Sequence, residues 1–552
     1  MPRPPWPAAL RALAVTSMLA ALAACGGGGG GGGGGSSGGG TTGCVGSGGC
    51  VNGGGSTLTV SGLAYYERLP LSPASGLGGS VVSRPVRHAD VRLRAAGCGT
   101  CYGEASTDAS GAYSIVAQPP AGAALEVVVF ARTDLDPLRN VTVHDALPPS
   151  TNVHSAANVF HHVSASFTPA GSTTLDLLVP WNAGTTSRPS IGFAVMDTII
   201  TCIEAIRTGT GEVPPLCHAY TRLGNNGATG TSFYDSGAEA LTLLGGASGN
   251  LDGSDTDYFD DGVVAHEYGH FLEFKVAASA NRGGPHGGEE LEPPFAWSEG
   301  AATGWGCLMR REPRYIDTAT TGAMSPQING HAENWTPQLV RGIGGEETVT
   351  EVVWDLGDGV GGIADTDGDG VAIAFGSLYA PFLAYDPATT APYLGTLLDA
   401  LVGGGLVSSG AVSSLLSSPE AQQVGYPLAG GDVWPVPLPV PGTVTGTADS
   451  LAGSNKNQCR GRASSTWFSF TLASTRTLTF TLAITPTAGN GDDLDIFLTT
   501  PAGGTYAQST NGGSSSETIG PITLGAGTYI LRVEADCAGA GNQAGFTLQV
   551  NG

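Results

Sequence analysis

In the stretch Val263-Val264-Ala265-His266-Glu267-Tyr268-Gly269-His270-Phe271-Leu272, two histidines and a glutamate stand in the pattern H-E-x-x-H. On an α-helix, His266 and His270 lie one turn apart on the same face, so both imidazoles can bind one metal ion. Zinc suits this pair because it accepts neutral nitrogen ligands in a tetrahedral site. Glu267 is placed to take a proton from a water molecule that the metal activates. The stretch predicts a zinc-binding helix; the alternative is a chance pair of helical histidines.

The residues around this pattern favour a helix as well. Asp260 and Asp261 can cap its start. Apolar side chains at positions 263, 264, 271 and 272 give it a surface to bury. These features support the metal-binding interpretation over the chance pair.

A catalytic zinc needs a third protein ligand and keeps one position for water. The metzincin form of the motif would place Gly at 273 and His at 276, but the chain has Glu273 and Val276, which excludes that form. Glu299 is the better candidate, because a helix that begins at or near residue 298 can present it to the metal. Glu289 and Glu290 compete with Glu299, but they lie in a loop rich in Gly and Pro.

The order His-Glu-Tyr-Gly-His, followed at a distance by Trp-Ser-Glu-Gly at 297–300, resembles the fungalysin and thermolysin group of the gluzincin metallopeptidases. The resemblance implies His266, His270 and Glu299 as ligands of Zn²⁺. It implies Glu267 as the general base that helps water attack a protein or peptide substrate.

Two departures from this family concern the groups around the metal. Thermolysin-like enzymes carry an Asp four residues after the ligand glutamate, and here that position is Thr303, whose hydroxyl has no charge. The family's transition-state histidine has two candidates, His331 and His286, and a surface histidine is the alternative for each.

Composition restricts the class of protein. Gly is abundant at 88 residues, only 13% of residues are charged, and the formal net charge is −24. Such a charge argues against nucleic acid or anionic lipid as a partner. The composition is typical of exported bacterial proteins rich in β-structure.

The N-terminus carries a targeting signal. Arg3 and Arg11 precede a short apolar run in residues 1–24, which is too short for an ordinary membrane span. The run ends in Leu-Ala-Ala-Cys, which resembles a bacterial lipobox. The resemblance implies cleavage before Cys25, lipidation of its thiol and, with Gly after it, anchoring to the outer membrane; a simple secretory signal is the alternative. The Gly/Ser-rich residues of 25–56 form a flexible tether.

Two further segments precede the metal-binding region. Residues 57–146 contain strand-like runs separated by Gly, Pro and Asp, which predicts a β-sandwich. Within them, residues 105–115 resemble the turn and strand of carboxypeptidase-regulatory-like modules. Residues 147–182 are interpreted as a connecting arm.

Residues 183–430 change character. Apolar residues recur with a helical period in 191–207, and a strand-like run covers 239–246. Helix and strand mixed around the metal-binding helix fit an α+β zincin catalytic domain. Residues 348–356 resemble a scaffold helix that follows the third ligand in fungalysin-like enzymes.

The C-terminal part returns to β-structure. Residues 431–441 form a Pro-rich linker, and the alternating apolar runs of 442–552 predict a jelly-roll-like β-sandwich. The run from Trp467 to Val550 resembles the bacterial pre-peptidase C-terminal domain, which accompanies secreted peptidases. The predicted fold is therefore multidomain, with the catalytic domain between two β-sandwiches.

An acidic loop predicts a possible Ca²⁺ site. Asp365, Asp367 and Asp369 alternate before a Gly, so their carboxylates can converge on calcium. A complete EF-hand would need Glu at position 376, where the chain has Gly376. A solvated acidic turn is the alternative.

Nine cysteines follow Cys25, and export favours disulfides between them. Spacing alone does not fix connectivity. The nearest partners would be Cys44–Cys50, Cys98–Cys101, Cys202–Cys217 and Cys459–Cys537, with Cys307 left over.

Two other functions compete with a peptidase. The chain could be a surface adhesin or binding protein with an inactive or structural zinc domain, although the intact Glu267 argues against a purely structural site. Hydrolysis of a non-peptide amide, such as a cell-wall crosslink, is the third possibility.

Overall fold

The computed structural model describes residues 49–97, 99–181, 188–224, 230–324, 328–336, 340–417, 426–428, 433–451, 456–487, 492–513, 516–537 and 541–552. The predicted signal peptide, Cys25 and most of the tether lie outside the described residues. None of the helices in the described ranges is both long and apolar enough to cross a bilayer.

The N-terminal part is made of short strands in two main sheets. Its strands are β1 Leu58–Arg68, β2 Leu71–Ser72, β3 Gly76–Leu77, β4 Val82–Pro85, β5 Asp90–Ala95, β6 Cys101–Ser106, β7 Ala112–Ala117, β8 Leu125–Phe130, β9 Val141–His144, β10 His161–Val163, β11 Thr173–Thr174 and β12 Leu177–Val179. β1 pairs with β4, β7, β11 and β12 in one sheet, and the other sheet has the order β10-β8-β5-β6. Apolar residues from both sheets, including Val60 and Val91, share one buried cluster.

The turn before β7 follows from its sequence. Asp108 Oδ1 accepts hydrogen bonds from the backbone N–H groups of Ser110 and Ala112, at 2.8 and 2.9 Å. Gly111 has a φ of 81°, a conformation that favours glycine. Tyr113 then enters the core. The predicted tight turn is present, whereas membership of the carboxypeptidase-regulatory-like family stays a prediction.

The segment interpreted as a connecting arm carries strands of the N-terminal sheets. β10 pairs with β8 in antiparallel register, and β11 and β12 both pair with β1 in parallel. β9, which precedes the segment, pairs in parallel with a strand of the central part, Cys217–Thr221. Sheet pairing therefore crosses the predicted domain boundaries.

The central part mixes helices with short strands. Its helices are α1 Ile191–Thr210, α2 Asp261–Val276, α3 Pro293–Arg310, α4 Glu346–Asp355, α5 Phe375–Leu383, α6 Leu394–Gly403 and α7 Ser409–Leu416, and a 3₁₀ turn covers Leu251–Gly253. Its strands are β13 Cys217–Thr221, β14 Phe233–Asp235, β15 Ala240–Leu243, β16 Arg314–Ile316 and β17 Asn329–His331. One sheet has the order β14-β15-β13-β9, and β16 pairs with β17.

The starts of α2 and α3 differ from the sequence-based expectation. Asp260 stands at the N-cap position of α2, but its Oδ2 accepts hydrogen bonds from the N–H and hydroxyl of Thr318, at 2.7 and 2.8 Å, and so does not cap the helix. Asp261 instead pairs with the buried Arg68 of β1 at 2.8 Å. α3 begins at Pro293, earlier than expected, because proline suits the first helical position.

The C-terminal part is a two-sheet β-sandwich, as predicted. Its strands are β18 Val436–Pro437, β19 Gly442–Asp449, β20 Ser465–Leu472, β21 Arg476–Pro486, β22 Leu494–Thr499, β23 Thr505–Ser509, β24 Glu517–Leu524, β25 Gly527–Ala535 and β26 Gln543–Asn551. The sheets have the orders β18-β20-β25-β22-β23 and β19-β26-β21-β24. Their facing side chains form a separate buried apolar cluster that includes Phe480 and Leu531.

The disulfides agree with the prediction in one case. Cys459 is bonded to Cys537 across the C-terminal sandwich, as expected. The predicted pairs Cys44–Cys50 and Cys98–Cys101 are wrong, because Cys50 and Cys101 are bonded to each other. Cys44 and Cys98 lie outside the described residues. The predicted Cys202–Cys217 bond is also wrong: both thiols are free and buried, as is Cys307.

Buried ion pairs join the C-terminal sandwich to the segment between α2 and α3. Arg282 pairs with Glu292 and, at 2.7 Å, with Glu534 of β25. The hydroxyl of Ser465 donates to Glu292 at 2.5 Å. The sandwich is thus attached close to α3, which carries Glu299.

Candidate metal centre

The site depends on the close approach of α2 and α3. A Cβ added at Gly269 would lie 2.7 Å from the Cα of Ala302, a distance that real Cβ atoms do not show. Only glycine at this point of the H-E-Y-G-H stretch lets the two backbones come so near. The approach brings Glu299 of α3 beside the histidines of α2.

The structure brings the three predicted ligands together. Nε2 of His270 lies 3.0 Å from Nε2 of His266 and 2.9 Å from Oε2 of Glu299. Nε2 of His266 lies 3.4 Å from the same oxygen. His266 and Glu299 are buried and His270 is half-buried, so α2 and α3 largely shield this triad (His266, His270 and Glu299) from bulk water.

The donor set of the triad fits a bound cation. Two imidazole nitrogens that face each other at 3.0 Å cannot both accept a hydrogen bond, whereas both can bind one metal ion. Burial acts to lower the pKa of His270, but Glu299, Glu273 and Glu267 together outweigh it and hold that pKa well above its usual range. The carboxylate thus favours a positive charge at this point, and two nitrogens with one carboxylate suit zinc.

Thr303 contacts the outer nitrogen of His266, where the family would place an aspartate. Its Oγ1 lies 2.8 Å from Nδ1 of His266, and both side chains are buried. When Nε2 faces a metal, Nδ1 carries the proton and donates it to this hydroxyl. The neutral hydroxyl group of Thr303 therefore orients the imidazole of His266.

Glu273 and Ser298 support the other histidine, and sequence analysis did not assign either of them a role. The hydroxyl of Ser298 donates to Oε2 of Glu273 at 2.5 Å and lies 3.3 Å from Nδ1 of His270. Glu273 Oε2 is itself 3.9 Å from that nitrogen. The sequence signal for Glu273 was its spacing from His270, because residues three apart on a helix share a face. Asn281, also missed, donates to Oε1 of Glu299 at 3.2 Å.

Glu267 has the surroundings of a proton acceptor. The side chain is buried, and its Oε2 has no hydrogen-bond partner among the described residues. Burial raises the pKa of its carboxyl, against the lowering effect of His266 and His270. A carboxylate with a free oxygen and a raised pKa is suited to accept a proton.

The two candidate transition-state histidines lie in different places. Nε2 of His286 lies 3.5 Å from Oε2 of Glu299, and its Nδ1 lies 2.9 Å from Glu346 at the start of α4. Burial acts to lower the pKa of His286, but Glu346 and Glu299 together outweigh it and raise that pKa to about 9. His331 lies on β17 opposite Arg314, and the described contacts give no support to its predicted role. His286 is the one brought beside the triad.

Tyr315 is a further group near the triad that the sequence did not reveal. It lies on β16, and its ring centre is 5.9 Å from that of His266 in an edge-on arrangement. Burial raises the pKa of its hydroxyl well above the usual value, so the hydroxyl stays protonated and can donate a hydrogen bond.

The predicted acidic loop also comes together. Carboxylate oxygens of Asp365, Asp367 and Asp369 lie within 4.8 Å of one another. The loop is a series of turns, in which Asp365 accepts from the N–H of Gly368 and Asp369 from that of Val371, at 2.6 and 2.8 Å.

Comparison with known proteins bears on the C-terminal part. Residues 464–535 match the family model of the bacterial pre-peptidase C-terminal domain. This confirms the predicted resemblance for that segment, and such domains are typical of the C-termini of secreted proteases. A search of curated proteins found no match.

Solved structures are similar to about one fifth of the chain. The pre-peptidase C-terminal domain of a collagenase from Bacillus anthracis has 15% identity, with 21% of this chain and 93% of that chain covered, and a TM-score of 0.16. The periplasmic lysozyme inhibitor PliG of Aeromonas hydrophila has 14% identity, the same coverages and a TM-score of 0.15. At such TM-scores these likenesses carry no argument, and the family match alone supports the C-terminal domain.

Proposed function

We propose that the chain is an exported, zinc-dependent endopeptidase that hydrolyses protein or peptide substrates. In this proposal the central part is a zincin catalytic domain, and a lipid on Cys25 anchors the protein to the outer membrane. The observation that carries the proposal is the convergence of His266, His270 and Glu299 beside Glu267, whose Oε2 has no partner in the described part of the chain. The pre-peptidase C-terminal domain is compatible with a secreted protease.

The residues of this site have separable tasks. His266, His270 and Glu299 would hold Zn²⁺, which supplies a Lewis acid that polarises the scissile carbonyl and activates water. Glu267 accepts the proton of the attacking water at its free Oε2 and returns it to the leaving amine. Positively charged His286 is a donor for the carbonyl oxygen of the substrate as negative charge develops there.

The proposal is tested with the purified full chain, its Glu267→Gln variant and casein as substrate. We expect one zinc ion per chain by mass spectrometry of metals, cleavage that a chelator abolishes, and restoration by added zinc. Glu267→Gln should retain zinc and fold but lose cleavage by at least about a hundredfold, since general acid–base catalysis contributes 10²–10⁴.

A second pair of variants checks the third ligand. Glu299→Gln should lose zinc, while Glu290→Gln, a change of the competing carboxylate in the preceding loop, should keep it. A wild-type chain without zinc, or one that binds proteins and leaves them uncut, would defeat the proposal and favour the binding-protein alternative.

A further inference from the structure

A second group of carboxylates lies around the C-terminal end of α4. Ligand-type oxygens of Glu333, Asp358 and Asp365 lie within 4.8 Å of one another, and Asp365 is shared with the loop that contains Asp367 and Asp369. These five residues are called the acidic cluster below. They come from the turn after β17, the turn after α4 and the acidic loop, so three separate chain segments meet there.

Asp358 is the decisive member of the acidic cluster. Its side chain is only 1% exposed, and neither of its carboxylate oxygens has a hydrogen-bond partner in the described part of the chain. Its oxygens lie close to those of Glu333 and Asp365. A buried carboxylate without donors is costly, so it needs either a proton or a cation.

The charges that act on Asp358 are all negative. Burial, followed by the charges of Glu333 and Asp369, raises the pKa of Asp358 to about 8. Asp369 Oδ2 and one oxygen of the buried Asp355 also lack partners among the described residues. These oxygens lie among like charges, which favours a cation in this region.

Hydrogen bonds fix the carboxylate of Glu333 and the turn that carries Asp358 before any ion binds. Glu333 Oε1 accepts hydrogen bonds from both the N–H and the hydroxyl of Thr366, at 3.1 and 2.6 Å. Glu333 Oε2 accepts from the indole N–H of Trp354 at 2.6 Å. The backbone N–H of Asp358 donates to the carbonyl of Trp354 at 2.9 Å, which ties the turn after α4 to the helix. The carboxylate of Glu333 is therefore held by α4 and by the acidic loop, and α4 fixes the backbone that carries Asp358.

We propose that Glu333, Asp358 and Asp365, completed by Asp367 and Asp369, bind one Ca²⁺ ion. Calcium takes six to eight oxygen ligands in flexible geometry, which a set of carboxylates alone supplies and which suits neither zinc nor the strict octahedron of magnesium. The site differs from a loop formed by the alternating aspartates alone, because Glu333 and Asp358 lie outside that loop. Calcium would link the end of α4 to the turn after β17, independently of any peptidase activity.

The test is calcium binding by the full chain, measured by isothermal titration calorimetry in calcium-free buffer, with MgCl₂ in a parallel titration. We expect saturable binding of one Ca²⁺, weaker for Mg²⁺. Asp358→Asn should weaken calcium binding by at least about tenfold, since it removes a charged ligand. Glu212→Gln, which removes an exposed carboxylate from the loop after α1, is the matched control and should bind as the wild type does.

Thermal unfolding gives a second readout with opposite signs in the two buffers. Without calcium, Asp358→Asn should melt at or above the wild type, because asparagine avoids the cost of burying a carboxyl group that has no hydrogen-bond partner and must take up a proton when no cation is bound. With calcium at about 100 times the wild-type Kd, the wild type should gain roughly 5 °C, and the variant, which binds at least about tenfold more weakly, should gain at most about half as much. Should Asp358→Asn fail to fold, the exposed Asp365→Asn takes its place with the same expected loss of affinity. Absence of saturable calcium binding in the wild type, or unchanged affinity in the folded variant, would overturn the inference.

Discussion

Replacing Thr303 by valine would remove the one contact that the described structure gives to the outer nitrogen of His266. The Oγ1 of Thr303 lies 2.8 Å from Nδ1 of that imidazole, and the side chain is 4% exposed. Valine keeps the shape and the branching at Cβ, so the packing of α3 on α2 is preserved. The N–H at Nδ1 then has no acceptor when Nε2 binds zinc, and water does not reach it easily.

The expected loss follows from the kind of hydrogen bond that is removed. A buried donor left without its partner costs about 1–3 kcal/mol, and a neutral hydroxyl acceptor belongs at the lower end, near 1–2 kcal/mol. Zinc affinity should therefore fall by about 5- to 30-fold. Removal of a charged partner of a metal ligand would cost more, up to about 100-fold.

Competition with a chromophoric chelator measures the zinc affinity of the full chain. Thr350→Val is the control, because Thr350 is equally buried on α4 and donates to the carbonyl of Gly300 at 3.1 Å. This control should lose some stability and keep its zinc affinity. If Thr303→Val binds zinc as tightly as the wild type, Thr303 does not orient His266 and the geometry has been misinterpreted.

Two further predictions concern stability. Replacing Cys459 and Cys537 together by serine opens a loop with a sequence separation of 78. The free energy of unfolding of the C-terminal sandwich, measured by urea unfolding followed by tryptophan fluorescence, should fall by about 4–5 kcal/mol. A loss below about 1 kcal/mol would show that the bond is dispensable. Burial, followed by other histidines, lowers the pKa of His144 to about 4 and of His218 to about 3. In the unfolded chain these histidines titrate near pH 6.5 and therefore bind more protons than in the folded chain, so the free energy of unfolding should fall by roughly 2 kcal/mol per histidine from pH 6.5 to pH 5. The variant with glutamine at both positions should show a flatter dependence of stability on pH. A slope equal to that of the wild type would contradict the assignment.

The local sequence pattern correctly predicted helices α1 and α2. The helical period around residues 191–207 corresponds to α1, and the H-E-x-x-H stretch lies on α2 as expected. These predictions succeeded because one helix carries both histidines, so that the spacing alone brings their rings together. Glu299 required a second helix, which the sequence indicated through a possible helix start near residue 298 and through the likeness of the surrounding motif.

The sequence did not correctly predict some contacts between segments that are distant along the chain. Cys50 is bonded to Cys101 because the N–H of Val51 donates to the carbonyl of Cys101, which brings the N-terminal segment beside β6. Cys202 and Cys217 are closer in sequence, yet one lies on α1 and the other on β13, and both remain free. Closeness in sequence therefore does not predict which cysteines form disulfides when the cysteines lie on different strands and helices.

The acidic loop shows the same limit in a binding site. Alternating aspartates can be recognised from sequence because one turn holds them all, but Glu333 and Asp358 reach the same place from other segments. Their contribution depends on Trp354, whose side chain and backbone fix both of them. A ligand set that is spread over three segments appears only when the packing of α4 is known.

The position of Glu273 changes how the replacement of the family's aspartate by Thr303 is interpreted. In the sequence, Glu273 served only to exclude the metzincin form, and Thr303 stood where the family has an aspartate that orients one zinc-binding histidine. In the structure, Glu273 reaches the side of His270 through the hydroxyl of Ser298, while Thr303 serves His266. The charge that supports the triad has thus not been lost but lies beside the other histidine. A negative charge on one of two linked imidazoles still favours a cation between them, so the substitution of the family's aspartate does not argue against zinc binding.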